Sequence, residues 1–224
     1  MTTSYEIRLC DSCGLRYPLV HGHPHGTRCP VCMGGTRLIL SRELVLEPTR
    51  DRIPNDLAPS PSANRRGEYA ILLDNIRSAW NVGSIFRSAD GFGFVHAYLC
   101  GITPTPEIEA VAKTSLGAED SVPWSYHKDA VKLVKGLKKE GLRILALEDD
   151  ERAVSIKDVG WGMKDEDNGR RTVMILGSEV TGVDPELLDL CDEIVYIPMH
   201  GKKKSFNVAM AFSITAYALT GFDD

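Results

Sequence analysis

The fold of this chain is decided by residues 173–219, which read VMILGSEVTGVDPELLDLCDEIVYIPMHGKKKSFNVAMAFSITAYAL. The first four residues are an apolar run stopped by Gly177, which predicts a strand buried on both faces. Pro185 suits the first turn of a helix, and a second apolar run follows at Ile194–Met199. The uncharged segment Phe206–Leu219 predicts a helix packed inside a core. It is too short and too rich in Asn, Ser and Thr for a comfortable membrane span.

The same alternation of apolar runs and helical patterns extends upstream. Strands are predicted at Tyr69–Asp74, Val95–Gly101 and Arg143–Glu148, and helices at Asn81–Ala89, Glu107–Ser115 and His127–Glu140. This order predicts an α/β fold with a mostly parallel sheet flanked by helices. Asn81 is the N-cap candidate of its helix. The acidic turn Glu148–Arg152 shows no evident chemistry.

The amino-terminal segment carries a metal-binding pattern. Its two C-x2-C pairs, separated by fifteen residues, are Cys10/Cys13 and Cys29/Cys32. Two tight turns at this spacing present four thiolates to one tetrahedral Zn²⁺, and a closed four-sulfur site is structural rather than catalytic. Structural disulfides are the alternative. A further alternative is a histidine ligand from the intervening loop, which contains His21, His23 and His25.

Composition divides the chain into two parts. We predict a zinc ribbon at 1–46, a proline-containing linker at 47–67 and a larger domain at 68–224. Leu38–Leu46 fits either the closing strand of the ribbon or a short helix. Because the first residues, MTTSYEIRL, contain no apolar signal core, we expect a cytoplasmic protein. The formal net charge of the chain is −5. Residues 1–66 carry a net charge of +3 and the remaining residues carry −8, so the protein surface as a whole is not positively charged enough to attract a polyanion such as RNA.

Three short motifs carry a resemblance to a known family. The first is NVGSIFRSA at Asn81–Ala89, the second combines Gly177-Ser178-Glu179 with Gly182, and the third combines Ile197-Pro198-Met199 with Ser205-Phe206-Asn207-Val208. Together and in this order they resemble the SpoU/TrmH branch of the SPOUT RNA methyltransferases. The resemblance runs from Tyr69 to the C terminus.

The resemblance implies a sheet ending in a trefoil knot that holds S-adenosylmethionine in a bent pose. Gly177, Ile197 and Phe206 would line its pocket. Gly177 also has a physical rationale, since the absence of a Cβ lets a ligand approach the backbone. The family is dimeric, so the resemblance further implies a homodimer in which some site residues act in trans.

For catalysis, the resemblance places Arg87 at a ribose 2′-hydroxyl of tRNA or rRNA. A guanidinium is a poor base, so we expect electrostatic stabilisation rather than proton abstraction. Asn81 and Asn207 would orient Arg87 and the ribose, Glu179 would anchor its loop or pair with a cation, and Ser205 would donate a hydrogen bond nearby. Helical spacing puts Arg87 on the same side of its helix as Gly83 and Ser84, and this side could face the strand ends.

Two departures and three alternatives accompany this interpretation. Phe206 stands where the family usually has Leu, and Ala209 where it often has Ser. Lys202–Lys204 is more basic than the usual loop and is interpreted as a phosphate contact, with exposed solubility lysines as the alternative. For the whole protein, the alternatives are a catalytically silent RNA-binding protein on the same scaffold and a tRNA base methyltransferase.

Overall fold

The computed structural model describes residues 3–20, 27–44, 68–159, 171–203 and 205–220. The chain divides into two compact units, residues 1–63 and 64–224. The linker predicted at 47–67 lies outside the described residues, and the predicted domain limits stay predictions. No described helix combines the length and the apolar character needed to cross a membrane.

The first unit contains a small antiparallel sheet. Its strands are β1 (Thr3–Cys10), β2 (Arg16–Val20) and β3 (Thr36–Leu44), in the order β2-β1-β3. The segment that fitted either a strand or a short helix is therefore a strand over its described part. Cys10 is the last residue of the central strand, so the sheet delivers it directly to the turn that carries Cys13.

The second unit is built on a seven-stranded sheet. Its elements in chain order are β4 (Tyr69–Asp74), α1 (Ala79–Gly91), β5 (His96–Cys100), α2 (Glu109–Ser115), α3 (Ala118–Ser121), β6 (Trp124–His127), α4 (Ala130–Lys139), β7 (Arg143–Leu147), β8 (Val154–Ser155), β9 (Thr172–Leu176), α5 (Pro185–Leu190), β10 (Glu193–Tyr196) and α6 (Val208–Thr220). The strand order is β6-β5-β4-β9-β7-β10-β8, and every pairing is parallel. The predicted mostly parallel α/β fold is confirmed.

The apolar runs divide between the two faces of this sheet. In β4, Ile71 and Leu73 join the core beneath α1 and α6, whereas Ala70 and Leu72 join the core beneath α4 and α5. All five residues of β9 are buried, as expected for a central strand covered by helices on both faces. The carboxyl ends of β4, β9, β7 and β10 consequently meet at one edge, where the loops carrying the motifs emerge.

Candidate active site

A cavity of about 1010 Å³ opens at the carboxyl ends of β7, β9 and β10. Its wall comes from the three loops that follow these strands and from the start of α6. All three residues predicted to hold a cofactor line it, namely Gly177, Ile197 and Phe206. Glu179, Ser205 and Asn207 line the same space. The structure thus brings six of the eight predicted active-site residues together at one cavity.

Gly177 is required by the packing of its own loop. A Cβ on Gly177 would lie 2.2 Å from the backbone carbon of Gly182 and 2.2 Å from the nitrogen of Val183. The glycine therefore lets the chain fold back against itself at the cavity wall, and the predicted approach of a ligand to its backbone stays a prediction. The returning loop is closed by a hydrogen bond from the Gly182 N–H to the Ser178 carbonyl at 2.9 Å.

Glu179 sits on this loop and binds the start of α1. One carboxylate oxygen accepts hydrogen bonds from the Asn81 side-chain amide at 2.9 Å and the Ser78 N–H at 3.2 Å, and the other accepts from the Arg77 N–H at 2.9 Å. Partial burial raises the pKa of the Glu179 carboxyl, but these hydrogen bonds outweigh it and hold the pKa below its usual value. Glu179 is therefore an ionised anchor between two of the motifs.

Asn81 joins the third motif to the same network. Its side-chain oxygen accepts a hydrogen bond from the Asn207 amide at 3.0 Å, while its amide donates to Glu179. The Asn207 oxygen in turn accepts from the Ala209 N–H at the start of α6. Asn81 is not the N-cap that the sequence predicts. Ser78 caps α1, and its hydroxyl accepts the Asn81 N–H at 3.3 Å, which leaves the Asn81 side chain free for this role.

The basic loop contributes to the rim of the cavity. Lys202 and Lys203 line it with exposed side chains, as does Ser205. Lys204 lies outside the described residues. Phe206 is 42% exposed, so its ring is presented to the cavity rather than packed in the core.

Arg87 is not among the residues that line the cavity of its own chain. The side of α1 that carries Gly83 packs against α2, because a Cβ there would lie 2.6 Å from the Val111 carbonyl oxygen. The orientation of Arg87 toward the strand ends stays a prediction. The Arg87 side chain is exposed, and within the described ranges its guanidinium has no ion-pair or hydrogen-bond partner.

The comparison with known families agrees with this geometry. Residues 68–217 match the sequence model of the SpoU rRNA Methylase family. The chain belongs to this family. The resemblance inferred from the three motifs is confirmed, and the match covers most of the second unit.

Named relatives of this SpoU chain include two tRNA (guanosine(18)-2′-O)-methyltransferases. The one from Escherichia coli is 29% identical over 157 residues, which are 69% of this chain and 64% of the relative. The one from Thermus thermophilus is 28% identical over 153 residues, which are 68% of this chain and 74% of the relative. The chain thus spans less than two thirds of the Escherichia coli relative. A solved AdoMet-bound rRNA methyltransferase from Sinorhizobium meliloti shares the fold, with a TM-score of 0.62 and 22% identity over 70% of this chain and 57% of that one.

The first unit of this SpoU protein holds a second candidate site. The sulfur atoms of Cys10, Cys13, Cys29 and Cys32 all lie within 4.8 Å of one another. The Cys10–Cys32 and Cys13–Cys29 sulfur pairs are 3.4 and 3.6 Å apart, and all six cysteines of the chain are free thiols. Four sulfurs at about 2.3 Å from a tetrahedral zinc ion would be about 3.8 Å apart, so the cluster fits this metal. His21, His23 and His25 lie outside the described residues.

Backbone donors favour the thiolate form within this cluster. The N–H groups of Ser12 and Cys13 both point to the Cys10 sulfur, at 3.4 Å each. The hydrogen bond from the Cys13 N–H is the main cause that lowers the pKa of Cys10 to about 6, against the opposing effect of desolvation. At Cys13 a backbone hydrogen bond from Leu15 also lowers the pKa, but hydrogen bonds with the Cys10 and Cys32 thiols and desolvation raise it overall. A metal ion requires such deprotonated ligands.

Glu148 is among the cavity-wall residues that sequence reasoning missed. Glu148 follows β7 directly, and its carboxylate oxygen accepts a hydrogen bond from the Val183 N–H at 2.8 Å. The sequence signal for Glu148 is its position. It follows the carboxyl end of a buried strand, as Gly177 does. Its neighbours Asp150 and Arg152 form an ion pair.

Proposed function

We propose that this protein is an S-adenosylmethionine-dependent RNA methyltransferase that acts on a ribose 2′-hydroxyl of tRNA or rRNA. The observation that carries the proposal is the hydrogen-bonded chain Glu179–Asn81–Asn207, which joins three separated motifs at the edge of one cavity. The family membership and the names of the two tRNA 2′-O-methyltransferase relatives support it.

The cavity has the size and character of a nucleoside-cofactor site. Its volume of about 1010 Å³ lies at the upper end of the range for small-molecule pockets. Ile197 and Phe206 supply apolar surface for an adenine ring, and the surrounding loops supply backbone polar groups. When bound there, S-adenosylmethionine supplies an activated methyl group on a sulfonium. The chain's own contribution is to hold that group and exclude water from it.

The polar network orients the reaction partners. Asn81 and Asn207 fix each other through one hydrogen bond, and Glu179 fixes Asn81 from the opposite side. Such positioning is a large part of catalysis, because a misplacement of about 1 Å can reduce a rate by about 100-fold. Ser205 offers a hydroxyl on the same wall. Arg87 stabilises the negative charge that develops on the ribose oxygen as the hydroxyl proton passes to water, with help from an RNA phosphate.

The protein acts as a homodimer, and Arg87 of one protomer serves the cavity of its partner. Two observations support this part of the proposal. Arg87 is exposed, unpaired in the described ranges and absent from its own cavity wall. The neighbouring surface is apolar, with Trp80 of α1 63% exposed and Met210 and Tyr217 of α6 57% and 60% exposed. Met210 and Tyr217 are seven residues apart, so they share one helix face.

Two further parts of the proposal concern the rim and the fold. Lys202 and Lys203 contact RNA phosphates beside the cavity, which provides a local basic patch on an acidic protein. The second and third motifs form the trefoil knot that the resemblance implies. The path of the chain supports this part of the proposal. Strand β10 pairs with β7 on the side away from β9, and the chain then returns so that α6 contacts α1, where the Ser88 and Ser213 hydroxyls are hydrogen-bonded at 2.8 Å.

The cysteine cluster binds one structural zinc ion. Four thiolates leave no open coordination position, so the metal stabilises the small antiparallel sheet and takes no part in methyl transfer. Cytoplasmic localisation fits both sites, since a reducing compartment keeps the thiols available and contains the RNA substrates.

The test is nucleoside mass spectrometry of tRNA and rRNA incubated with the full-length protein and S-adenosylmethionine. We expect one 2′-O-methylated nucleoside at a single position. Methylation confined to a base would support the tRNA base methyltransferase instead. Binding of RNA without any transfer would support the catalytically silent protein.

A further inference from the structure

The Glu148 carboxylate is built into the wall of the cavity. One oxygen accepts the Val183 N–H at 2.8 Å and the other accepts the Asp149 N–H at 3.1 Å. The side chain is partly buried. These two backbone donors come from different loops, so the carboxylate has one defined position rather than a range of solvated ones.

Gly182 makes room for this carboxylate. Its φ of +71° is in the left-handed region, and a Cβ at this position would lie 2.4 Å from a Glu148 carboxylate oxygen. The same loop carries Glu179, whose carboxylate binds the start of α1. Glu148 therefore contacts one end of this short loop, and the polar network is attached to its other end through Glu179. Both lie at the same cavity.

Glu148, Asp149 and Glu179 line the cavity, and of these three Glu148 is the partly buried one, whereas Asp149 is exposed. The Glu179 carboxylate is occupied by three donors from residues 77–81. Lys202 and Lys203 are exposed on the rim loop. Within the described ranges Glu148 has no ion-pair partner, because its only hydrogen bonds are to neutral backbone N–H groups. A partly buried anion without a counter-ion favours a cationic ligand.

We infer that Glu148 selects the cationic methyl donor over its neutral product. This inference rests on the proposed function. S-adenosylmethionine carries a positive sulfonium, whereas S-adenosylhomocysteine carries an uncharged thioether, and the two are otherwise nearly identical in shape. A fixed carboxylate in the wall attracts the first more strongly than the second. When the methyl group is transferred, the sulfonium loses its positive charge. Glu148 then attracts the product less strongly, which assists release of the product.

The test is isothermal calorimetry of both ligands with the full-length protein, without RNA. Glu148→Gln removes the charge but keeps an oxygen that can accept the Val183 N–H. We expect the preference for S-adenosylmethionine over S-adenosylhomocysteine to fall by about fivefold, with the affinity for S-adenosylhomocysteine nearly unchanged. Glu148→Ala also removes the loop contact and should weaken both ligands. Glu151→Gln, an exposed acid of the same turn, is the matched control and should change neither affinity.

Each other outcome contradicts the inference. An unchanged ratio in Glu148→Gln would show that the charge does not discriminate. An equal loss for both ligands would assign Glu148 to a group that they share, such as a ribose hydroxyl. If Glu148→Gln fails to fold, the wild-type preference should still decline as ionic strength rises, and a constant preference would overturn the idea. Absence of binding of either ligand to the wild type would reject the proposed function as well.

Discussion

Replacing Glu179 should reduce the rate of methyl transfer far more than it reduces the stability of the fold. The carboxylate accepts hydrogen bonds of 2.9, 3.2 and 2.9 Å from residues 77, 78 and 81. Hydrogen bonds to a charged group contribute about 1.5–3 kcal/mol each to stability when they are buried. Glu179 is largely exposed, so water molecules can take over part of its hydrogen bonding when the carboxylate is removed. We therefore expect Glu179→Ala to lower the free energy of unfolding by about 1–2 kcal/mol. For a domain of this size the midpoint of thermal unfolding would fall by about 2–8 °C.

The effect of the same substitution on methyl transfer should be much larger. Without Glu179, the Asn81 amide loses the partner that fixes its orientation, and Asn207 loses its fixed neighbour. We expect the rate of transfer from S-adenosylmethionine to RNA to fall by about 100-fold or more. Unfolding by urea and transfer of a radiolabelled methyl group measure the two quantities on the same samples. Glu109→Ala, which removes an exposed ion pair on α2, is the control and should change both only slightly.

The pH dependence provides a second check on Glu179. Because the pKa of its carboxyl is lower in the folded state than the ordinary value of 4.5, the stability it contributes is present above pH 4.5. That contribution is lost as the pH falls through the folded-state pKa. The difference in unfolding free energy between wild type and Glu179→Gln should therefore shrink on acidification. A near-normal transfer rate in Glu179→Ala would refute the anchoring role.

Two further predictions concern the metal and the arginine. Elemental analysis should find one zinc ion per chain, and Cys10→Ser should lose it together with the fold of the ribbon. Retention of a full equivalent of zinc in that variant would contradict the assignment. Arg87→Ala should abolish methyl transfer but leave S-adenosylmethionine affinity nearly unchanged. In a mixed dimer of Arg87→Ala with Asn207→Ala protomers, action in trans predicts recovery of about half the activity, because one of the two sites is intact. No recovery would place Arg87 in its own cavity.

Much of the sheet could be predicted from the sequence because its central strands are continuous apolar runs. Thr172–Leu176 and Tyr69–Asp74 are buried between helices on both faces, so nearly every residue must be apolar. The edge strands were missed for the same reason. Trp124–His127 has no fully buried residue, and Val154–Ser155 is only two residues long, so neither leaves a periodic signal.

What the sequence could not determine at the site depends on contacts between residues distant in the chain. Ser78 and Asn81 are both good N-cap residues, and the choice between them is tied to Glu179, about 100 residues later. The direction of Arg87 depends on how α1 is rotated when Gly83 packs against α2, which local spacing does not determine. Glu148 gains its role only through Val183, which lies 35 residues away.

Asn81 and Asn207 lie 126 residues apart in sequence, and the proposed function requires them to act as one unit in methyl transfer. A double-mutant cycle of kcat/KM with Asn81→Ala, Asn207→Ala and the double variant measures this coupling directly. We predict that the double variant loses little more activity than the more damaging single variant, a coupling of about 1–2 kcal/mol. If the two losses in kcat/KM simply multiply, the two amides act independently, which would contradict their proposed coupling.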